Sequence, residues 1–221
     1  MTFEVKEPVL VVGLGGAGIK LASEMREVLG ADSLNISQDK KDISEHNSIH
    51  ISTNSIINPS VQLIRGCAME QSEKIAEHMS TYETVIIMAN LAGKSGAALA
   101  PVVSSICKEQ NKNVLSFAIM PFKFEKNRIF QSGISLKRLR MNSDSTIIID
   151  NDAILDSNPD FTAEKCYNVT NDAIKCLTTS IKSSSLTDDT NIMSTSRSAE
   201  NIEDSVKDSI KMLYEDAPPN S

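Results

Sequence analysis

Apolar residues gather in short runs over the first two-thirds of the chain, each followed by a stretch with helical spacing. "PVLVVGL" (Pro8–Leu14), "TVIIMA" (Thr84–Ala89), "NVLSFAIMP" (Asn113–Pro121) and "STIIIDN" (Ser145–Asn151) read as buried strands. Between them "IKLASEMREVLG", residues 62–79, residues 101–110 and "IFQSGISLKRLRM" carry the wider period of helices. Residues 31–59 are polar and strand-poor apart from "SIHIST". Short strands alternating with helices predict an α/β fold: a three-layer, Rossmann-like parallel sheet with helices on both faces. Residues 162–181 then predict one long helix, which closes a domain over 1–182. "KSSSLTDDTNIMSTS" predicts a flexible connector over 183–198. Residues 199–214 predict an amphipathic helix with Ile202, Val206, Ile210 and Leu213 on one stripe, and 215–221 a frayed tail.

Composition narrows the chemistry. With 221 residues and 40% hydrophobic content the chain can bury a sizeable core. A net charge of −7 without a long basic stripe argues against nucleic-acid binding, and "LKRLRMN" (Leu136–Asn142) reads as a helix face. Cys67, Cys107, Cys166 and Cys176 form no paired motif, and His46 and His50 stand in an Asn/Ser-rich loop, so no metal site is expected. Neither a signal peptide nor a membrane-spanning run is evident in the sequence, which predicts a soluble cytoplasmic protein.

Two glycine-bearing loops carry the candidate site. Gly13-Leu-Gly15-Gly16-Ala17-Gly18 lies between a strand and a helix, where glycines admit a tight turn and bring backbone amides to a phosphate. A dinucleotide enzyme would add an acid at the end of the next strand, and Asp39 in "NISQD" stands about there. The second loop, "AGKSG", lacks the leading glycine of a Walker loop because Met88 holds that place. Its strand–loop–helix setting still suits an anion.

Taken together, four stretches resemble the nucleotide-binding domain of the FtsZ/tubulin family. "VVGLGGAG" resembles the first phosphate loop, and "LAGKSGAALAPVVSSICKE" the signature loop with its Ala-Pro-Val-Val helix. "PFKFEKNR" and "STIIIDNDAIL" resemble two further family stretches, the whole covering roughly residues 8–182. The resemblance implies a guanine-nucleotide-binding protein of cell division or cytoskeletal assembly that takes GTP or GDP, with magnesium left open. It implies phosphate contacts from Gly93, Lys94, Ser95 and Gly96, a ribose contact from Glu125, and Arg128 beside the nucleotide. It further implies that Tyr167 stacks on the base while Asn171 and Asp172 read it. Partners would be an FtsZ-type subunit or a second copy.

Departures from the family qualify this. Its GGGTGTG is here Ala92–Ala98, with two glycines in place of five, so a family-like backbone with positive φ would strain the loop. Lys94 either supplies a charge to phosphates or points to solvent. The family's water-orienting Asn-x-Asp-x-x-Asp loop is missing after the long helix, where only Asp188 and Asp189 stand, so hydrolysis is expected to be weak or partner-dependent and no catalytic residue is assigned. An NAD-dependent Rossmann oxidoreductase and a nucleotide-free scaffold are the alternatives.

Overall fold

The structure is a computed structural model that describes residues 2–3, 5–43, 47–55, 58–181, 186–187 and 191–193. The strands are β1 (Thr2–Phe3), β2 (Val9–Leu14), β3 (Asp32–Ser37), β4 (Ser48–His50), β5 (Thr84–Asn90), β6 (Asn113–Ile119), β7 (Ser145–Ile149), β8 (Leu186–Thr187) and β9 (Asn191–Met193). The α-helices are α1 (Gly15–Leu29), α2 (Val61–Glu70), α3 (Ser72–Met79), α4 (Lys94–Glu109), α5 (Lys126–Asn142), α6 (Asn151–Ser157) and α7 (Ala163–Ile181).

Seven strands form one sheet in the order β4-β3-β2-β5-β6-β7-β9, and every neighbouring pair is parallel. A parallel strand is covered on both faces, which is why β2, β5 and β7 are buried at nearly every position rather than at alternate ones. One face of the sheet packs on α2–α5 through Leu10, Val12, Ile87, Leu99, Val103 and Leu139. The other packs on α1 and α7 through Val11, Met25, Ile86, Phe117 and Ile174. The expected three-layer architecture is therefore present.

Several boundaries differ from the sequence reading. Residues 31–59 hold β3 as well as β4; "DSLNIS" has few strand-forming residues, but Leu34 and Ile36 face the core beside β2. The helix read over 62–79 is two helices divided at Gln71. The helix read from Pro101 begins seven residues earlier, at Lys94, and carries Pro101 inside it. A further helix, α6, follows β7 directly. Within the stretch read as a flexible connector, Leu186–Thr187 and Asn191–Met193 are strands, and β9 extends the main sheet beside β7. The helix expected over 199–214 and the tail over 215–221 lie outside the described residues.

Candidate functional site

A parallel sheet brings all its strand-to-helix turns to one edge. The turn after β2 leads straight into α1 at Gly15, and the turn after β5 leads into α4 at Lys94. Neither helix has a side-chain cap or an acid in its first turn, whereas Ser60 caps α2 and Asp150 caps α6. The leading N–H groups of a helix have no partner within it, so α1 and α4 both present donors and a positive dipole end. The two ends adjoin: a Cβ on Gly15 would stand 2.8 Å from the Ser95 Cβ, and Gly15 holds φ +70°. Gly13 closes β2 against α1, while Gly16, Ala17 and Gly18 form the first turn of α1.

The altered second loop is not strained. Positive φ at a glycine occurs, among the described residues, only at Gly15 and Gly30, and Gly93 has φ −82° and ψ 144°. Because α4 starts at Lys94, positions 94–98 are helical and accept side chains at no backbone cost. Gly96 is the exception, since a Cβ there would collide with the Asn90 carbonyl oxygen. The strain expected of the missing glycines thus does not arise.

Beside these helix ends lies a cleft of about 540 Å³ lined by Ala17, Lys20, Leu21, Asn90, Ile119, Glu164, Tyr167, Asn168 and Asn171. Glu164, Tyr167, Asn168 and Asn171 come from one face of α7, at the helical spacing that places them together. Two predicted residues of the long helix are thereby joined to the first glycine turn. Asp172 is not among them: it is exposed, lines no wall of this cleft, and lies near enough to Lys175 to help raise its pKa, after Glu24. The acid lining the cleft is Glu164, one turn before Tyr167, and sequence reading passed over it because nothing in a single carboxylate at a helix start marks it.

The segment after β6 packs on Tyr167, one of the residues that line the cleft. Phe122 meets the Tyr167 ring edge-on at 5.5 Å and stacks on Phe124 at 4.9 Å. Glu125 accepts from the Phe122 amide at 3.1 Å and pairs with Arg128 at 2.7 Å. Both charges reach Tyr167. Burial first, then the Glu125 carboxylate, raise the phenol's pKa above its ordinary value; Arg128 and a hydrogen bond with Asn90 act the other way. Behind the segment, Asp152 accepts from the Lys123 amide at 2.7 Å. Buried Asn151 donates to Met120 O at 3.2 Å and accepts from Thr170 at 2.9 Å, which fixes α7 to the sheet edge. "DND" at 150–152 is therefore a brace for the site.

Two further side chains named from the sequence have these partners in the structure. Lys94, the first residue of α4, is exposed, and its Nζ donates to the Pro59 carbonyl at 3.1 Å. Asp39 caps the short 3-10 turn Lys40–Asp42 by accepting from the Lys41 amide. The acid that approaches the first loop is instead Asp42: a Cβ on Gly16 would be 2.7 Å from Asp42 Oδ1, and Ser37 holds its Oδ2 at 2.7 Å. Among the described residues no cluster of three or more His, Cys, Asp or Glu groups is placed to hold a metal, and no helix is long and apolar enough to cross a membrane. Cys107 is a core residue whose thiol burial pushes up to about 12.

A parallel sheet with two uncapped helix ends converging beside an aromatic–amide cleft defines a nucleotide-binding α/β domain. The sequence profile described as "Tubulin/FtsZ family, GTPase domain" matches residues 8–159. The chain belongs to the Tubulin/FtsZ family. It is 30% identical over 173 residues to Cell division protein FtsZ 2 of Halobacterium salinarum, covering 73% of this chain and 43% of that protein. To Cell division protein FtsZ 1 of Pyrococcus abyssi it is 27% identical over 189 residues, covering 77% and 49%. Among solved structures, an FtsZ dimer of M. jannaschii superposes with a TM-score of 0.70 at 23% identity, covering 81% of this chain and 57% of that one. CetZ from Methanosaeta thermophila gives 0.62 at 17%, covering 76% and 51%. At these identities the structures speak to fold. The chain spans less than half the length of these two curated relatives.

Proposed function

We propose that the chain binds a guanine nucleotide across this edge and works as an FtsZ-like component of cell division or cytoskeletal assembly, alone or with an FtsZ-type subunit. The polyphosphate lies over the amides at Gly15–Gly18 and at Lys94–Gly96, where two helix dipoles add their positive ends. The base enters the cleft against Tyr167, with Asn171 beside it, and Glu125 and Arg128 stand at the ribose side. Residues at i and i+4 of one helix reach one ring together, and a base with the wrong donor pattern leaves buried polar groups unpaired. Asp42 faces the phosphates as a like charge, and its carboxylate, held by Ser37, would serve as a ligand to a magnesium ion that would offset that charge.

Hydrolysis by the isolated chain is weak in this reading. Phosphoryl transfer depends on positioned water and charge stabilisation, and the water-orienting motif of the family is absent from the sequence. Asp188 and Asp189 lie outside the described residues. The observation that carries the proposal is that Ala17 of the first loop lines the same cleft as Tyr167 and Asn171, while Gly15 touches Ser95 of the second loop. Titration with fluorescent GTP, GDP, ATP and NAD tests it, with Asn171→Ala and Asp172→Ala compared. Guanine nucleotides should bind at least about tenfold tighter than ATP or NAD. Preference for NAD would support an oxidoreductase, and no binding at all a scaffold; either result overturns the proposal.

A further inference from the structure

Helix α5 carries Lys126, Arg128, Lys137, Arg138 and Arg140 and not one acid, in a chain of net charge −7. Of these, only Arg128 has a carboxylate partner among the described residues. Among the described residues, the large apolar side chains left exposed belong to this helix, its approach and one neighbouring helix. Phe124, Ile129, Phe130 and Met141 belong to α5 or its approach, and Leu63 and Met69 to the adjoining α2. Side-chain hydrogen bonds Gln62–Gln131 and Arg65–Ser135 hold those two helices together. An apolar face of this extent edged by one sign of charge marks a contact surface.

Between α2, α4 and α5 the surface sinks into a cavity of about 360 Å³ with Pro101, Val102 and Ile106 in its wall. Arg65 and Arg138 share it. Arg65 donates to Ala97 O and Ser135 Oγ, but its Nε is buried without a partner. Burial, then the neighbouring Arg138, pull the Arg65 pKa below its ordinary value. Glu109, the acid in the wall, is held by Ser105 and pairs with neither guanidinium. Arg65 is half-buried and Arg138 exposed, and neither pairs with a carboxylate among the described residues, which fits an acidic side chain entering from outside.

Topology names the segment that can supply it. β9 runs parallel to β7 with Met193 opposite Ile149, so the chain leaves β9 at the sheet edge where α5 begins. After residues 194–198, the stretch 199–216 contains Glu200, Glu203, Asp204, Asp208, Glu215 and Asp216 against Lys207 and Lys211. It also contains the apolar stripe Ile202, Val206, Ile210 and Leu213. The sixteen residues 199–214 would span about 24 Å as a helix, close to the length of the 17-residue α5.

We propose that residues 199–216 dock in cis along α5, laying their apolar stripe on Phe130 and Met141 and their carboxylates on Lys137, Arg138 and Arg140. These residues lie outside the described part of the structure, and the assignment rests on their sequence and on the surface that awaits them.

The test is zero-length carbodiimide cross-linking of the full chain, read by mass spectrometry in a mixture of ¹⁴N- and ¹⁵N-labelled protein. Expected are bonds from Lys137 or Lys126 to acids of 199–216, within singly labelled chains. Arg138→Glu with Arg140→Glu should lower their yield at least about fivefold, with an unchanged circular dichroism spectrum. Both positions are exposed, so the variant keeps its core. Lys137 and Lys126 giving no such bonds would overturn the proposal. So would bonds found only between differently labelled chains, which mean a second copy, or yields indifferent to the reversed charges. Binding of the intact chain to vesicles of anionic lipid that is lost in the same variant would also overturn it, since the face would then be a membrane contact.

Discussion

Replacing Gly15 by alanine tests whether the two loops form one phosphate site. Gly15 sits at φ +70°, where a side chain costs about 1–2 kcal/mol. The added Cβ would also stand 2.8 Å from the Ser95 Cβ, well inside ordinary carbon contact of roughly 3.5–4.0 Å. Relief requires α4 to move away from α1, and overpacking of this kind costs about 1–3 kcal/mol more. The summed loss of about 2–5 kcal/mol should lower Tm by about 4–20 °C for a chain of this size. Spreading the helix ends separates the two sets of amides, so guanine-nucleotide affinity should fall at least about tenfold. Gly93→Ala is the control: its backbone is ordinary and the nearest atom to an added Cβ is Asn90 O at 3.5 Å, so it should cost under about 1 kcal/mol. Thermal or urea melts and nucleotide titrations of both variants decide the matter. Equal stability of Gly15→Ala and wild type, or a destabilised chain that binds nucleotide undiminished, would mean that the two loops do not share one phosphate site.

Three further outcomes are expected. Lys94→Ala should change nucleotide affinity less than about threefold and stability by about 1 kcal/mol, because Lys94 serves the Pro59 carbonyl; a loss near a hundredfold would place it on the phosphates instead. Asp42→Asn should tighten GTP binding about three- to tenfold in chelator by removing a like charge beside the loop, and the gain should vanish in magnesium; affinity unchanged in chelator would show that the carboxylate does not face the phosphates. The Tyr167 phenol, raised by burial and then Glu125, favours its protonated form in the fold, so its contribution to stability is complete below pH 10 and lost as pH climbs through the raised value. Spectroscopic titration should therefore show late phenolate formation that shrinks in Tyr167→Phe, and that variant should lose less stability above pH 10.

The glycines of the first loop, the apolar runs of β2, β5, β6 and β7, and the helical spacing of Tyr167 and Asn171 were all legible in the chain, since each is a local pattern. β3 was not, because "DSLNIS" becomes a strand through the neighbours that bury Leu34 and Ile36 rather than through its own propensity. Nor was the early start of α4: Pro101 read as a first helical residue, whereas it lies within a helix begun by Lys94. Side-chain partners are less local still: Lys94 reaches the Pro59 carbonyl, Asp39 caps a 3-10 turn, and Asp172 is exposed on α7.

Period and turn chemistry act over a few residues, and they suffice to specify an alternating α/β chain with two anion-suited loops and an aromatic–amide pair on one helix. That Gly15 abuts Ser95, that Asp42 approaches the first loop, and that Glu164 and not Asp172 lines the cleft are consequences of packing at a distance. Those outcomes depend on how strands order themselves in the sheet and how helices roll against it, and no local spacing encodes either.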